Sequence, residues 1–148
     1  MMSDWPDIAG RNLPDGGHVL PVRVYYEDTD FSGAVYHANY LKFCERARSD
    51  MLRISGIYHA ELHGAGAEGR MGFVVRRMEC DFLKPAHIDD LLHVETHMLE
   101  AAGARLVLKQ TVKLGEDVIF SADVTIALVD GRGVPKRLPN DLLERLKR

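Results

Sequence analysis

The hydrophobic period of this 148-residue chain switches from two to three-and-four and back again, and that switch constrains its fold more than any other feature. "VLPVRVYYE" sets Leu20, Val22, Val24 and Tyr26 against Pro21, Arg23, Tyr25 and Glu27, the alternation of a half-buried strand. From Asn39 onward Tyr40, Phe43, Cys44, Ala47, Met51, Leu52 and Ile54 recur at helical spacing. Asn39 is the expected N-cap and Gly56 the expected terminator, giving a helix of about 16 residues.

Alternation then returns in four runs. "GFVVRRMECDFLKPA" sets Phe73, Val75 and Arg77 opposite Val74, Arg76 and Met78, and Pro85 ends it. "DLLHVETHMLEA" sets Leu92, Val94, Thr96 and Met98 on one face, and "ARLVLKQTVKLG" does the same with Leu106, Leu108, Gln110, Val112 and Leu114. "DVIFSADVTIALVD" is apolar on both faces, as a central strand requires. Ala102-Gly103 and Gly115-Glu116-Asp117 are hairpin signals between these runs. One strand, one long helix and an antiparallel meander of four strands predict an α+β fold whose five-stranded sheet is covered by the single helix. Strands this long leave long edges, so edge-to-edge pairing of two copies is expected.

Residues 1–18 hold two prolines and few apolar positions, predicting a flexible arm ahead of one domain over 19–148. The tail "NDLLERLKR" has a cap-like Asn140 and a short amphipathic pattern. The net charge of −3 and the scattered basic residues exclude nucleic acid as a main partner. No run approaches the ~20 apolar residues of a membrane span, and the N-terminus is polar and acidic, so the cytoplasm is the expected compartment. Cys44 and Cys80 stand far apart in sequence with no C-x-x-C spacing, consistent with a reducing compartment and no zinc framework.

Three motifs fail on inspection. "DTDFSG" resembles a calcium loop from Asp28, but the twelfth position, which needs a bidentate Glu, is Asn39. "GAGAEG", residues 64–69, matches G-x-G-x-x-G but follows a helix and leads into a strand, the reverse of a phosphate-binding turn; it reads as a mobile loop or lid. His93 and His97 share a strand face yet lie ~13 Å apart at strand rise, and His59 and His63 lack a third ligand. No metal or redox cofactor is expected.

The turn "YEDTDFSGAVYHANY" carries chemistry of another kind. The first amides of a helix have no partner inside it and mark its positive end, so they can hold a carbonyl that develops negative charge. A carboxylate in the same turn can attack that carbonyl or activate water against it. A thiol, with a pKa of roughly 8.5, leaves readily, so a thioester needs no further general acid. From spacing alone, Asp28 and Asp30 read more readily as loop caps.

The residues "VRVYYEDTDFSGAVYHANYLKFCERARSDMLR", continued by "FVVRRMECDFLKPAHIDD" and "PKRLP", resemble the hot-dog-fold acyl-CoA thioesterases of the 4-hydroxybenzoyl-CoA thioesterase class, and within it the Tol-Pal-associated, YbgC-type branch. The resemblance implies a curved antiparallel sheet wrapped around one long helix, assembled as a homodimer or homotetramer with sites at the subunit interface. It places the catalytic carboxylate on Asp30 and the polarising donor on the backbone amide of His37. It assigns Tyr36 to the wall of the site, Gly33 to the turn and its close approach, and Asn39 and Glu45 to polar positions. Phe31 departs from the small residue or proline usual there and is expected to narrow or redirect the acyl pocket. The implied substrate is a short- or medium-chain or aromatic acyl-CoA, with acyl carrier protein as a further partner and a peripheral place at the inner membrane. A module that binds acyl-CoA without catalysis is the alternative. Arg76, Arg77 and Arg105 are equally candidates for coenzyme A phosphates and ordinary solvated residues.

Overall fold

The computed structural model describes residues 7–64 and 69–147. In chain order it contains β1 (Arg11–Asn12), β2 (His18–Arg23), a 3-10 turn at Tyr26–Asp28, α1 (His37–Ile54), α2 (His59–His63), β3 (Met71–Phe82), β4 (Leu91–Ala102), β5 (Arg105–Leu114), β6 (Asp117–Asp130) and α3 (Asn140–Leu146). The strands form one antiparallel sheet in the order β1-β2-β4-β5-β6-β3. Six strands therefore stand where five were expected, the extra one being the two-residue β1 against Val19 and His18. The described part of the expected flexible arm is fastened to the fold at this strand.

The four strands after the helix do not form one meander. Only β4, β5 and β6 do; β3 lies beyond β6, and the chain crosses from β3 to β4 through residues 83–90. This crossing brings Pro85 and Ala86 to the start of α1, where the Val35 amide donates to the Ala86 carbonyl at 2.8 Å. Alternation along β3 also breaks. A bulge between Val75 and Arg77 resets the register on β6, so Phe73 and Met78 both pack on the core although the uninterrupted period put them on opposite faces.

α1 spans His37–Ile54 and starts two residues before the expected cap, with Tyr36 at the N-cap. Its buried stripe of Tyr40, Phe43, Cys44, Ala47 and Leu52 meets Leu92 and Val94 of β4, Leu106, Leu108 and Val112 of β5, and Phe120, Val124 and Leu128 of β6 in one core. Gly56, at φ +83°, ends the helix: its amide donates to Arg53 and that of Ile57 to Leu52, closing the last carbonyls as a Schellman motif. Within the core, the Gln110 side-chain amide donates to Thr96 Oγ1 and the Cys44 carbonyl, while its carbonyl accepts from Arg48 Nη1 at 2.9 Å. Burial pushes the Cys44 thiol up to about 12. α3 is capped by Pro139 and not by Asn140. The "GAGAEG" loop falls mostly on residues 65–68, outside the described residues.

Candidate active site

Alternation in β2 stops at Val24, because the 3-10 turn at Tyr26–Asp28 turns the chain out and leaves Tyr26 on the surface. The Asp28 carboxylate closes that turn by accepting from the Tyr25 amide at 2.8 Å. The Asp28 carbonyl in turn receives the Tyr36 amide at 2.9 Å and Asn39 Nδ2 at 2.8 Å. Asp28 is thus a structural cap. Asn39, expected as the N-cap, sits in the first turn of α1 and is buried against it.

Between Thr29 and Val35, which pair across an isolated antiparallel bridge, the chain makes a tight hairpin. The Asp30 amide donates to the Ala34 carbonyl and the Gly33 amide to the Asp30 carbonyl. Gly33 sits at φ +87°, a conformation that a side chain strains. A Cβ there would meet nothing within 4 Å, so the backbone angle is this chain's demand for glycine, and no close approach inside the chain adds to it. Asp30 presents an exposed carboxylate whose Oδ1 accepts from the Ser32 amide at 2.8 Å and from the Ser32 hydroxyl at 2.5 Å. The Ser32 hydroxyl, then the Ser32 amide, with a smaller contribution from the charge of His37, hold this carboxyl below its ordinary value. It is an anion at neutral pH.

The hairpin leads straight into α1. The Tyr36 amide is taken by Asp28, and the next amide, that of His37, is the first of the helix and has no acceptor among the described residues. Its imidazole lies edge-on to Tyr36 at 4.6 Å and to Phe82 at 6.0 Å. Beside it opens a cleft of about 270 Å³ lined by Val35, His37, Tyr40, Phe82, Leu83, Lys84 and Pro85. Tyr40 stacks on Phe120 at 5.1 Å and its hydroxyl accepts from the Ala86 amide at 3.2 Å, so the apolar wall is held in place.

Of the expected site residues, Asp30, Gly33, Tyr36, His37 and Asn39 fall together in this turn. Phe31 does not line the cleft: it stands fully exposed at the hairpin tip, so in this chain it narrows no pocket. Glu45 lies two helical turns from His37, about 12 Å along the axis. It accepts from Ser49 and faces a separate groove with His59. Arg105 pairs with Glu100 at 3.0 Å, while Arg76 and Arg77 are exposed on β3. Phe82, Lys84 and Ser32 were not foreseen as site residues; the run "FLKPA" marked only a strand end, and its place beside α1 comes from the crossing to β4.

A long helix packed on a curved antiparallel sheet, with a carboxylate turn at the helix start, defines a hot-dog architecture with the chemistry of an acyl-transfer site. The thioesterase superfamily model matches residues 32–121, and the chain belongs to that family. It is 40% identical over 129 residues to the acyl-CoA thioester hydrolase YbgC of Escherichia coli O6:H1, covering 86% of this chain and 93% of that protein. Among solved structures it is similar to a probable thioesterase from Bartonella henselae, with 47% identity, a TM-score of 0.79, and 83% and 99% of the two chains covered. It is also similar to a thioesterase from Thermus thermophilus complexed with coenzyme A and Zn, with 27% identity, a TM-score of 0.74, and 88% and 96% covered.

Proposed function

We propose that this chain hydrolyses acyl-CoA thioesters, with Asp30 as the reacting carboxylate and the His37 backbone amide as the donor to the thioester carbonyl. One observation carries the reading: an ionised carboxylate and an unpaired helix-start amide are set in a single rigid turn beside an apolar cleft. A thioester carbonyl held at the His37 amide is polarised by a donor whose partial positive charge is fixed before the reaction begins. Asp30 then acts on the carbonyl carbon. Direct attack gives a mixed anhydride and expels the coenzyme A thiolate, after which water releases the acid; proton abstraction delivers water to the same carbon and expels the same thiolate. Both routes need one carboxylate and a good leaving group.

The aromatic wall of Tyr40, Phe82 and His37 suits an apolar acyl group, and Lys84 at the rim suits an anionic part of the substrate. Two copies joined along β3, which has a sheet neighbour on one side only, would extend the sheet and cover the exposed Val74 and Val75. Among the described residues no helix is long and apolar enough to cross a membrane; we place the protein in the cytoplasm. Thiol release from acyl-CoAs of graded chain length and from aromatic acyl-CoAs, measured for wild type and Asp30→Asn, tests the reading. Turnover should fall by orders of magnitude in a folded variant, and unchanged turnover would overturn the assignment.

A further inference from the structure

We propose that Ser32 is a positioning residue for Asp30, fixing one carboxylate oxygen so that the other faces the substrate. The proposal rests on the reading of Asp30 given above. It comes from a comparison the chain makes with itself. "DFSGA", residues 30–34, and "DGRGV", residues 130–134, fold into the same hairpin. In each, the aspartate amide donates to the carbonyl four residues on at 2.9 Å, and the glycine amide donates back to the aspartate carbonyl at 3.0 Å. Gly33 and Gly133 have φ of +87° and +81°. An antiparallel bridge flanks each turn, Thr29 to Val35 and Val129 to Pro135.

The two carboxylates differ. Asp130 Oδ1 accepts from two backbone amides, Arg132 at 2.8 Å and Val134 at 3.0 Å, and that is enough to close the turn. In the first hairpin the Ser32 amide takes the place of Arg132, but the Ala34 amide no longer reaches the carboxylate. It donates instead to Ser32 Oγ at 3.3 Å, and the Ser32 hydroxyl donates in turn to Asp30 Oδ1. The turn has no need of this hydroxyl, as Arg132 shows. Its effect falls on the carboxylate: a short O–H contact replaces a longer amide contact, both donors converge on Oδ1, and Oδ2 has no partner among the described residues. Asp130 is further tied to Lys136 at 3.6 Å, whereas Asp30 has no cation within ion-pair distance among the described residues. The same hairpin is therefore a plain closure at one end of the molecule and carries an oriented anion at the other.

Hydrogen bonds to an ionised carboxylate favour that form and hold its orientation. Replacing the hydroxyl contact with an amide at the length seen in the second hairpin loosens both. Ser32→Ala and Ser32→Gly should keep the wild-type Tm, lower kcat by about tenfold with little change in KM, and move the acid limb of the kcat/KM profile to higher pH. Ser32→Thr, which retains the hydroxyl, should recover most of kcat. Carbon-13 titration of the Asp30 carboxyl, which needs no substrate, should show the same upward move in Ser32→Ala. A kcat and acid limb equal to wild type in both Ser32→Ala and Ser32→Gly, with an unmoved Asp30 titration, would reduce Ser32 to an ordinary turn residue and overturn the proposal. Failure of the underlying reading looks different: Asp30→Asn would keep turnover, while the titration would still report whether Ser32 holds Asp30.

Discussion

Asn39 Nδ2 donates to the Asp28 carbonyl at 2.8 Å, and the Tyr36 amide donates to the same oxygen at 2.9 Å. Two donors from the start of α1 thereby grip the strand that ends at Asp30. Asn39→Ala should cost about 1 kcal/mol of stability in urea unfolding, the usual net worth of one hydrogen bond. It should cost more in kcat, because the amide of His37 and the carboxylate of Asp30 are held in register through this grip. Asn39→Asp separates the two ways the residue could act. An aspartate in the first helical turn is favoured by the helix dipole but has no N–H for the Asp28 carbonyl. Activity lost in both variants identifies the donor as the cause; activity retained in Asn39→Asp would show that the grip does not matter.

The His37 amide can be removed without removing the helix. Proline is tolerated at the first helical position, and Tyr36 already has φ −62° and ψ 132°, the extended geometry required before a proline. His37→Pro should therefore keep the far-UV CD spectrum of wild type while kcat falls by about 10²–10³, the loss typical of one oxyanion donor. His37→Ala, which keeps the amide and loses the ring, should retain far more activity. Equal losses in the two variants would move the function from the backbone to the imidazole.

Much of this arrangement is legible before folding is considered, and the part that is not has a physical reason. β4 and β5 follow the period of two because each has a wet face and a core face, so Leu92, Val94 and Thr96, or Leu106, Leu108 and Gln110, declare the register. α1 declares itself by its stripe. The neighbour of β3 is invisible in the same pattern, since alternation says which face is buried and nothing about which edge is paired; only the crossing through residues 83–90 brings Phe82 and Lys84 to the helix start. The bulge at Arg76 leaves no mark in a run where Val74, Val75, Arg76 and Arg77 are all compatible with an exposed edge. Asn39 suits an N-cap by type, but its amide found a carbonyl from the preceding turn and the helix began earlier. Ser32 reads as one more small turn residue, and only the matching hairpin at Asp130 shows what its hydroxyl adds.

Gln110 is fully buried and joins three elements: Thr96 on β4, the Cys44 carbonyl on α1, and the guanidinium of Arg48. Burial pushes the Arg48 guanidinium below its ordinary value, opposed by the nearby Cys44 and Glu45. Gln110→Leu leaves that cation without its acceptor in the core and should destabilise the fold by about 3–5 kcal/mol in chemical denaturation, as removing one partner of a buried charged pair does. Arg48→Met combined with Gln110→Leu replaces the network with apolar volume and should lose much less than the sum of the single changes. Strict additivity would mean that the two side chains do not act on each other.

At the other end of α1, Asp50 gathers the N-terminal segment. Its Oδ2 accepts from His18 Nε2 at 2.7 Å and from the Gly10 amide at 2.8 Å, and both His18 and Asp50 are nearly excluded from solvent. Gly10 passes so close that a Cβ there would lie 2.1 Å from the Val19 carbonyl oxygen and 3.0 Å from His18 Nε2, so no larger residue fits without displacing the segment. His18 Nδ1 is buried with no partner, which leaves the Asp50 contact as the ring's polar anchor among the described residues. Asp50→Ala should cost about 3–5 kcal/mol, because it strands a buried imidazole, and should release the Gly10 amide to fast hydrogen exchange while the amides of β5 stay protected. Gly10→Ala should speed exchange in the same segment with both side chains of the pair intact. Asp50 lies 13 residues along the helix from His37, about 20 Å at helical rise, so thiol release by folded Gly10→Ala should match wild type. Slow exchange at residue 10 in Asp50→Ala would show that β1, not the carboxylate, holds the segment down.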